Sequence, residues 1–104
     1  MANKVVYDCE EVQDEINSWD KGIRAVYTRI VGLMEKYGPN VGMPFTKAFG
    51  EGLFEIRAKK TGRAFFCMKT KEEIVILHAF IKRSRKTPKK DVDLAKKRMK
   101  KYKK

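Results

Sequence analysis

Near residue 53 the hydrophobic pattern of this chain switches from helical spacing to strict alternation, and the switch calls for both helices and a sheet. Upstream, Val12, Ile16 and Trp19 recur at helical spacing, with Glu10, Glu11, Asp14 and Glu15 toward the start, where acids suit the helix dipole. Asp20 is placed to cap a second helix, one face of which carries Ile23, Val26, Ile30, Leu33, Met34 and Tyr37. Gly38-Pro39 stops that helix, since glycine turns left-handed freely and proline cannot continue it. Lys4–Tyr7 reads as a short edge strand, and Pro39 to Gly52, with three glycines and two prolines, as a turn-rich connection.

Downstream, Leu53–Lys59 alternates: Phe54, Ile56 and Ala58 face one way, Glu55, Arg57 and Lys59 the other. Lys60-Thr61-Gly62 turns the chain into Arg63–Met68. Thr70–Glu72 turns it again into Ile74–Ile81, apolar on both faces as a central strand should be. Thr87 is positioned to cap a last helix, with Pro88 at its first position and Asp91 in the first turn. Val92, Ala95, Met99 and Tyr102 share one face of it, and nearly everything else there is Lys or Arg. The expected fold is α+β: two N-terminal helices, an antiparallel meander and a basic C-terminal helix, in one domain over residues 1–104. A chain of 104 residues holds one core, and 42% hydrophobic residues with eleven aromatics point to a folded protein rather than a basic disordered arm.

The formal charge of +12 is localised. Residues 1–52 hold six basic and eight acidic side chains, residues 53–104 nineteen and five. From Lys82 to Lys104 there are thirteen Lys or Arg against Asp91 and Asp93. A one-sided positive surface concentrates polyanions and steers their approach, so RNA or DNA leads as partner. For any single lysine, a solvated helix face is the plainer reading. One His and two scattered cysteines, Cys9 and Cys67, offer no ligand cluster, so neither a metal nor a cofactor is expected. No apolar run approaches the ~20 residues of a membrane span. The segment MANKVVYDCEEV lacks a signal-peptide core, so a cytoplasmic location with reduced thiols is expected.

No nucleophile–base–acid triad, phosphate loop or carboxylate pair stands at recognisable spacing. What remains is the strand face with Glu55, Arg57 and Lys59, Arg63 beside them across the hairpin, and Lys82, Arg83, Arg85 and Lys86 at the end of the last strand. Cations converging on one surface suit a phosphodiester, binding its oxygens and stabilising charge that builds in an in-line displacement. With RNA the ribose 2′-OH itself is a nucleophile. The protein must then activate that hydroxyl, protonate the leaving 5′-oxygen and hold the phosphate. Glu55 or a lysine of depressed pKa is a candidate base; His78 or Tyr102 could handle protons. Each also has a plainer role. His78 reads first as a satisfied core histidine, Glu55 and Arg57 as a same-strand pair, and Tyr102 as core packing. On residues alone, RNA binding is the reading and RNA cleavage the sharper alternative.

Five strings carry a resemblance: Gly-Leu-Phe-Glu-Ile-Arg (52–57), Arg-Ala-Phe-Phe (63–66), His-Ala-Phe-Ile-Lys-Arg (78–83), Lys-Thr-Pro-Lys-Lys (86–90) and Ala-Lys-Lys-Arg-Met (95–99). In this order they resemble the RelE/ParE superfamily, toxins of type II toxin–antitoxin pairs, in its phage-associated HigB-like branch. The match runs from Tyr37-Gly38 through Tyr102, and the region up to about Asp20 matches least. The resemblance implies a compact sheet flanked by helices and a metal-independent endoribonuclease that cuts messenger RNA, often on the ribosome. It implies phosphate binding and transition-state stabilisation by Arg57, Arg63 and Lys82, with Glu55 as a base and His78 as a proton carrier. Lys59, Arg83, Arg85, Lys86, Lys89 and Lys90 are then expected to contact RNA. No tyrosine closely follows Lys82-Arg83, which leaves the family's aromatic stacking role unfilled unless Tyr102 reaches it. The implied partner is a small antitoxin, commonly with a helix-turn-helix domain. Two other readings stand beside this one: a gyrase-directed inhibitor on the same fold, as ParE members are, and a non-catalytic RNA- or ribosome-binding regulator.

Overall fold

Where apolar residues recur at helical spacing, helices form and bury that stripe. In the computed structural model, which describes residues 3–103, α1 (Glu10–Asn17) buries Val12 and Ile16, with Trp19 buried just beyond it. The Asp20 carboxylate accepts the Gly22 N–H at 3.1 Å and starts α2 (Lys21–Tyr37), which Gly38 ends at φ +98°. The stripe on α2 needs two corrections. Tyr27 is buried beside Ile30 and Met34, its ring edge-on to Trp19 at 5.7 Å. Tyr37, expected on the core face, is 70% exposed, because it is the last helical residue and Gly38 turns the chain away there.

Five strands form one sheet in the order β1-β5-β4-β3-β2. The expected meander is present as β3 (Leu53–Ala58), β4 (Gly62–Met68) and β5 (Glu73–Ile81), each antiparallel to the next. The expected edge strand is β1 (Lys4–Tyr7), parallel to β5. The segment read as a turn-rich connection contains a further strand, β2 (Thr46–Gly50), antiparallel to β3 at the opposite edge. Its prolines and glycines mark its ends rather than its interior. Gly50 and Gly52 take positive φ around Glu51 to close the β2–β3 turn. The sheet is therefore five-stranded and mixed, and the α+β class holds.

Helices cover both faces. α1 and α2 pack on Ile56, Ala64, Phe66, Ile74 and Ile76, while α3 (Lys89–Met99) packs Ala95 and Met99 on Leu53, Phe65, Val75 and Leu77. Gly62 lets α2 approach, since a Cβ there would lie 2.5 Å from the Ile23 Cγ2 atom. The α3 cap differs from expectation: Pro88 holds the N-cap position with extended backbone, and Thr87 makes no cap. The Asp91 and Val92 N–H groups instead bond the Pro88 carbonyl at 3.1 and 3.3 Å.

The C-terminus is anchored at one acid. Asp8, its side chain buried, accepts the Tyr102 hydroxyl at 2.6 Å and meets Lys101 Nζ at 2.7 Å and Arg98 Nε at 3.8 Å. Burial pushes the Asp8 carboxyl up, but hydrogen bonds from Lys101 and Tyr102, with the charges of Lys101 and Arg98, outweigh it and hold the group below its usual range. Arg98 also donates to the Leu77 carbonyl at 2.8 Å. No helix among the described residues is long and apolar enough to cross a membrane.

Candidate functional site

The hairpin end of the sheet concentrates the strand charges around one acid. Alternation on β3 puts Glu55 and Arg57 on the same face, and the register sets Arg57 opposite Arg63 and Lys47 opposite Glu55. Arg63 in turn lies opposite Phe80 on β5, and the Lys82 N–H bonds the Thr61 carbonyl at 2.7 Å. Glu55 is only 3% exposed, and its Oε1 lies 3.8 Å from Arg57 Nε. Its Oε2 is buried without a hydrogen-bond partner. Burial pushes the Glu55 carboxyl above its ordinary value; the charges of Arg63, Arg57, Lys82 and Lys47 pull it down but do not prevail. A carboxyl shifted in that direction is a stronger base than a solvated one.

The cations around Glu55 are not equivalent. Arg63, 4% exposed, spends its guanidinium on the hairpin: Nη1 donates to the Lys59 and Gly62 carbonyls at 3.1 and 2.9 Å, and Nη2 to the Lys60 carbonyl at 3.0 Å. Its Nε is buried and unpartnered, and burial, opposed by Glu55 and reinforced by Arg57, lowers its pKa from the usual arginine value. Arg57 is different. Its side chain is 27% exposed and, among the described residues, its polar contacts are Met43 Sδ, at 3.7 Å, and Glu55. Lys59 does not share the Glu55 face as the alternation implies. It sits in the turn at φ +60° and lines a slot with Val26 of α2.

Beyond β5 the chain forms an open basic depression lined by Lys60, Thr61, Ile81, Lys82, Arg83 and Arg85. Lys82 in its lining is half-buried, and Arg83, Arg85, Lys86, Lys89 and Lys90 are exposed in and after it. The sequence-predicted cations thus fall into two groups. Arg57 and Lys82 lie near Glu55, whereas the five exposed residues follow one another along the chain from the end of β5 into α3, a basic apron.

His78 stands apart from this cluster. The β4–β5 register runs from Phe65↔His78 to Phe66↔Ile76, skipping Leu77, and this bulge brings His78 to α3. There His78 Nε2 lies 2.7 Å from Asp91 Oδ1, and the ring stacks on Phe80 at 5.5 Å between centroids. Glu55, Phe65 and His78 share one cross-strand row, so roughly two strand spacings, about 9.6 Å, and the Phe65 ring separate the imidazole from the carboxyl. Tyr102 is farther still. It lines a pocket with Gly52, Phe54, Cys67 and Met68 at the opposite end of these strands, and its hydrogen bond to Asp8, aided by burial, pushes its pKa up to about 12. The aromatic stacking role is not filled by Tyr102.

Sequence reasoning missed Lys47 and Met43, because the segment holding both read as a connection. The only available signal was Thr46-Lys47-Ala48-Phe49, a short β-compatible run between Pro44 and Gly50. It also missed Asp91 as the partner of His78, since a first-turn acid reads as a dipole contact.

A family model described as "Phage derived protein Gp49-like" matches residues 14–100. No curated protein matches the chain. Among solved structures, a chain of the archaeal RelE–RelB complex from Pyrococcus horikoshii OT3 is similar at TM-score 0.64 and 18% identity, covering 83% of this chain and 100% of that one. A chain of the toxin–antitoxin complex RelBE2 from Mycobacterium tuberculosis is similar at TM-score 0.58 and 15% identity, covering 79% and 100%. At these identities the likeness is one of fold.

Proposed function

This chain belongs to the phage-derived Gp49-like family and has the fold of the RelE chains it resembles; from that premise we propose that it is the toxin of a toxin–antitoxin pair and an endoribonuclease acting on messenger RNA. The observation that carries this reading is Glu55, a buried carboxyl pushed upward in pKa with one unpartnered oxygen, amid Arg57, Arg63, Lys82 and Lys47. Arg57 and Lys82 bind the non-bridging oxygens of the scissile phosphate. Drawing Arg57 onto the phosphate frees Glu55 Oε1 as well as the already unpartnered Oε2, and Glu55 takes the proton of the neighbouring ribose 2′-OH. The 2′-oxygen forms a bond to phosphorus as the bond to the 5′-oxygen breaks. The Lys82 ammonium protonates that leaving oxygen, and the proton held by Glu55 then passes through water to restore Lys82, so that no net proton is gained or lost. The products are a 2′,3′-cyclic phosphate and a 5′-hydroxyl end, with no metal in the scheme.

Arg63 supports this centre by holding the hairpin rigid and adding positive potential beside Glu55. Arg83, Arg85, Lys86, Lys89, Lys90 and Lys59 attract RNA, on the ribosome or free, through charge rather than base contacts. His78, fixed by Asp91 behind Phe65, receives no part in the proton transfers. The antitoxin, proposed to carry a helix-turn-helix domain, restrains the activity.

Inducing the chain in cells and mapping RNA 5′ ends tests the proposal. New 5′-hydroxyl ends inside messages are expected. Growth arrest with DNA damage and intact messages would instead point to gyrase as the target.

A further inference from the structure

We propose that the slot between the Met43–Phe45 loop and α2 is a nucleobase subsite, holding the base next to the phosphate that Arg57 binds. This rests on the ribonuclease reading above and adds to it where the RNA strand lies. The slot, about 210 Å³, is walled by Val26, Pro44 and Phe45 and edged by Arg57 and Lys59. It contains no carboxylate, and its two polar groups are both cations. Apolar walls bordered by two positive charges suit a ligand that is planar and apolar at one end and anionic at the other. A nucleotide of a single strand has that form.

Two further observations converge here. Met43 is 63% exposed, one of two large hydrophobic side chains so exposed among the described residues. The other, Tyr37, lies under the Lys36 ammonium, far in sequence from the Glu55 cluster. Burial of a core gives no reason for a methionine to stand in water against Arg57, whereas a thioether at the edge of a ring is a favourable contact. The slot is also built in one piece with the cation. The Arg57 N–H bonds the Phe45 carbonyl at 2.8 Å, and Thr46 Oγ1 accepts the Gly42 N–H at 2.7 Å, fixing the loop on β3. A phosphate on Arg57 therefore places its own base, or the next one, over Phe45. With no neutral hydrogen-bonding side chain in the lining, the subsite reads stacking rather than base identity, and purines are favoured over pyrimidines.

The test uses the full chain and a seven-nucleotide single-stranded RNA made uncleavable by one 2′-deoxy position, with an abasic site moved along it. Wild type is expected to lose about tenfold in affinity when the abasic site falls at one position beside the cleavage point, and little elsewhere. Met43→Ala, at an exposed position that leaves the core intact, and Val26→Phe, which fills the slot, should each remove that positional sensitivity. Circular dichroism melts check that both variants fold. Sensitivity that persists in both variants, or is absent at every position in wild type, overturns the subsite while leaving the ribonuclease reading in place. The same holds if both variants leave RNA affinity unchanged. A wild type that binds no RNA at low salt overturns both readings.

Discussion

Glu55 and Arg63 are both buried, and each keeps one polar atom without a partner, Oε2 on the acid and Nε on the arginine. Such orphans are uncommon in folded proteins, because a buried unpaired polar group costs about 1–3 kcal/mol. A site that must exchange a proton is one place where this cost is tolerated. The neighbouring arginines should separate cleanly by experiment. Removing Arg63 leaves three turn carbonyls unpaired and Glu55 short of a charge, so Arg63→Ala should lower stability by about 2–4 kcal/mol in urea denaturation. Arg57, with its long 3.8 Å pairing and partly exposed head, should cost less than about 1 kcal/mol as Arg57→Ala yet abolish most cleavage. Equal destabilisation by the two would contradict the division of labour drawn between them.

Among the elements, the anchoring of α3 to the N-terminus has a pH signature. The Asp8 carboxyl titrates below its ordinary value of 3.8 in the folded chain, so the folded state binds its proton less readily than the unfolded state. Its contribution is fully present above that ordinary value and is lost as pH falls through the depressed one. Acid denaturation monitored by fluorescence should show Asp8→Asn less stable than wild type at pH 6, by about 1–3 kcal/mol, with the gap closing toward pH 2. The same scale shows what was legible in the sequence. Helical spacing located α1 and α2, and clean alternation located β3, because burial on one face imposes a period. β2 escaped because proline and glycine punctuate both of its ends, and a five-residue edge strand has little burial to impose a pattern. The site was half legible. Alternation paired Glu55 with Arg57, but it also implied a solvated face, and nothing local reveals that Glu55 lies opposite Phe65 and is largely buried. Asp8 and Tyr102 meet across 94 residues, a pairing no local pattern encodes.

For the molecule as a whole, the charge asymmetry resolves into separate tasks. Arg98 and Lys101 are bound to Asp8 and serve the fold, whereas Arg83, Arg85, Lys86, Lys89 and Lys90 are exposed, the residues proposed to attract RNA. Replacing those five together by glutamine should weaken single-stranded RNA binding uniformly across sequences. The slope of log affinity against log salt should fall by roughly 0.7 for each phosphate no longer neutralised. Long-range attraction by the basic apron and chemistry at Glu55 should therefore be separable in one protein. The most direct measurement compares wild type with Glu55→Gln on ribosome-bound and free messenger RNA, in chelator, under single turnover. We predict 5′-hydroxyl and 2′,3′-cyclic phosphate ends from wild type. Glu55→Gln should cut roughly 100-fold or more slowly while binding RNA at least as tightly, since it removes a base and a negative charge together. Cleavage by Glu55→Gln at the wild-type rate, or 5′-phosphate ends, would contradict the account.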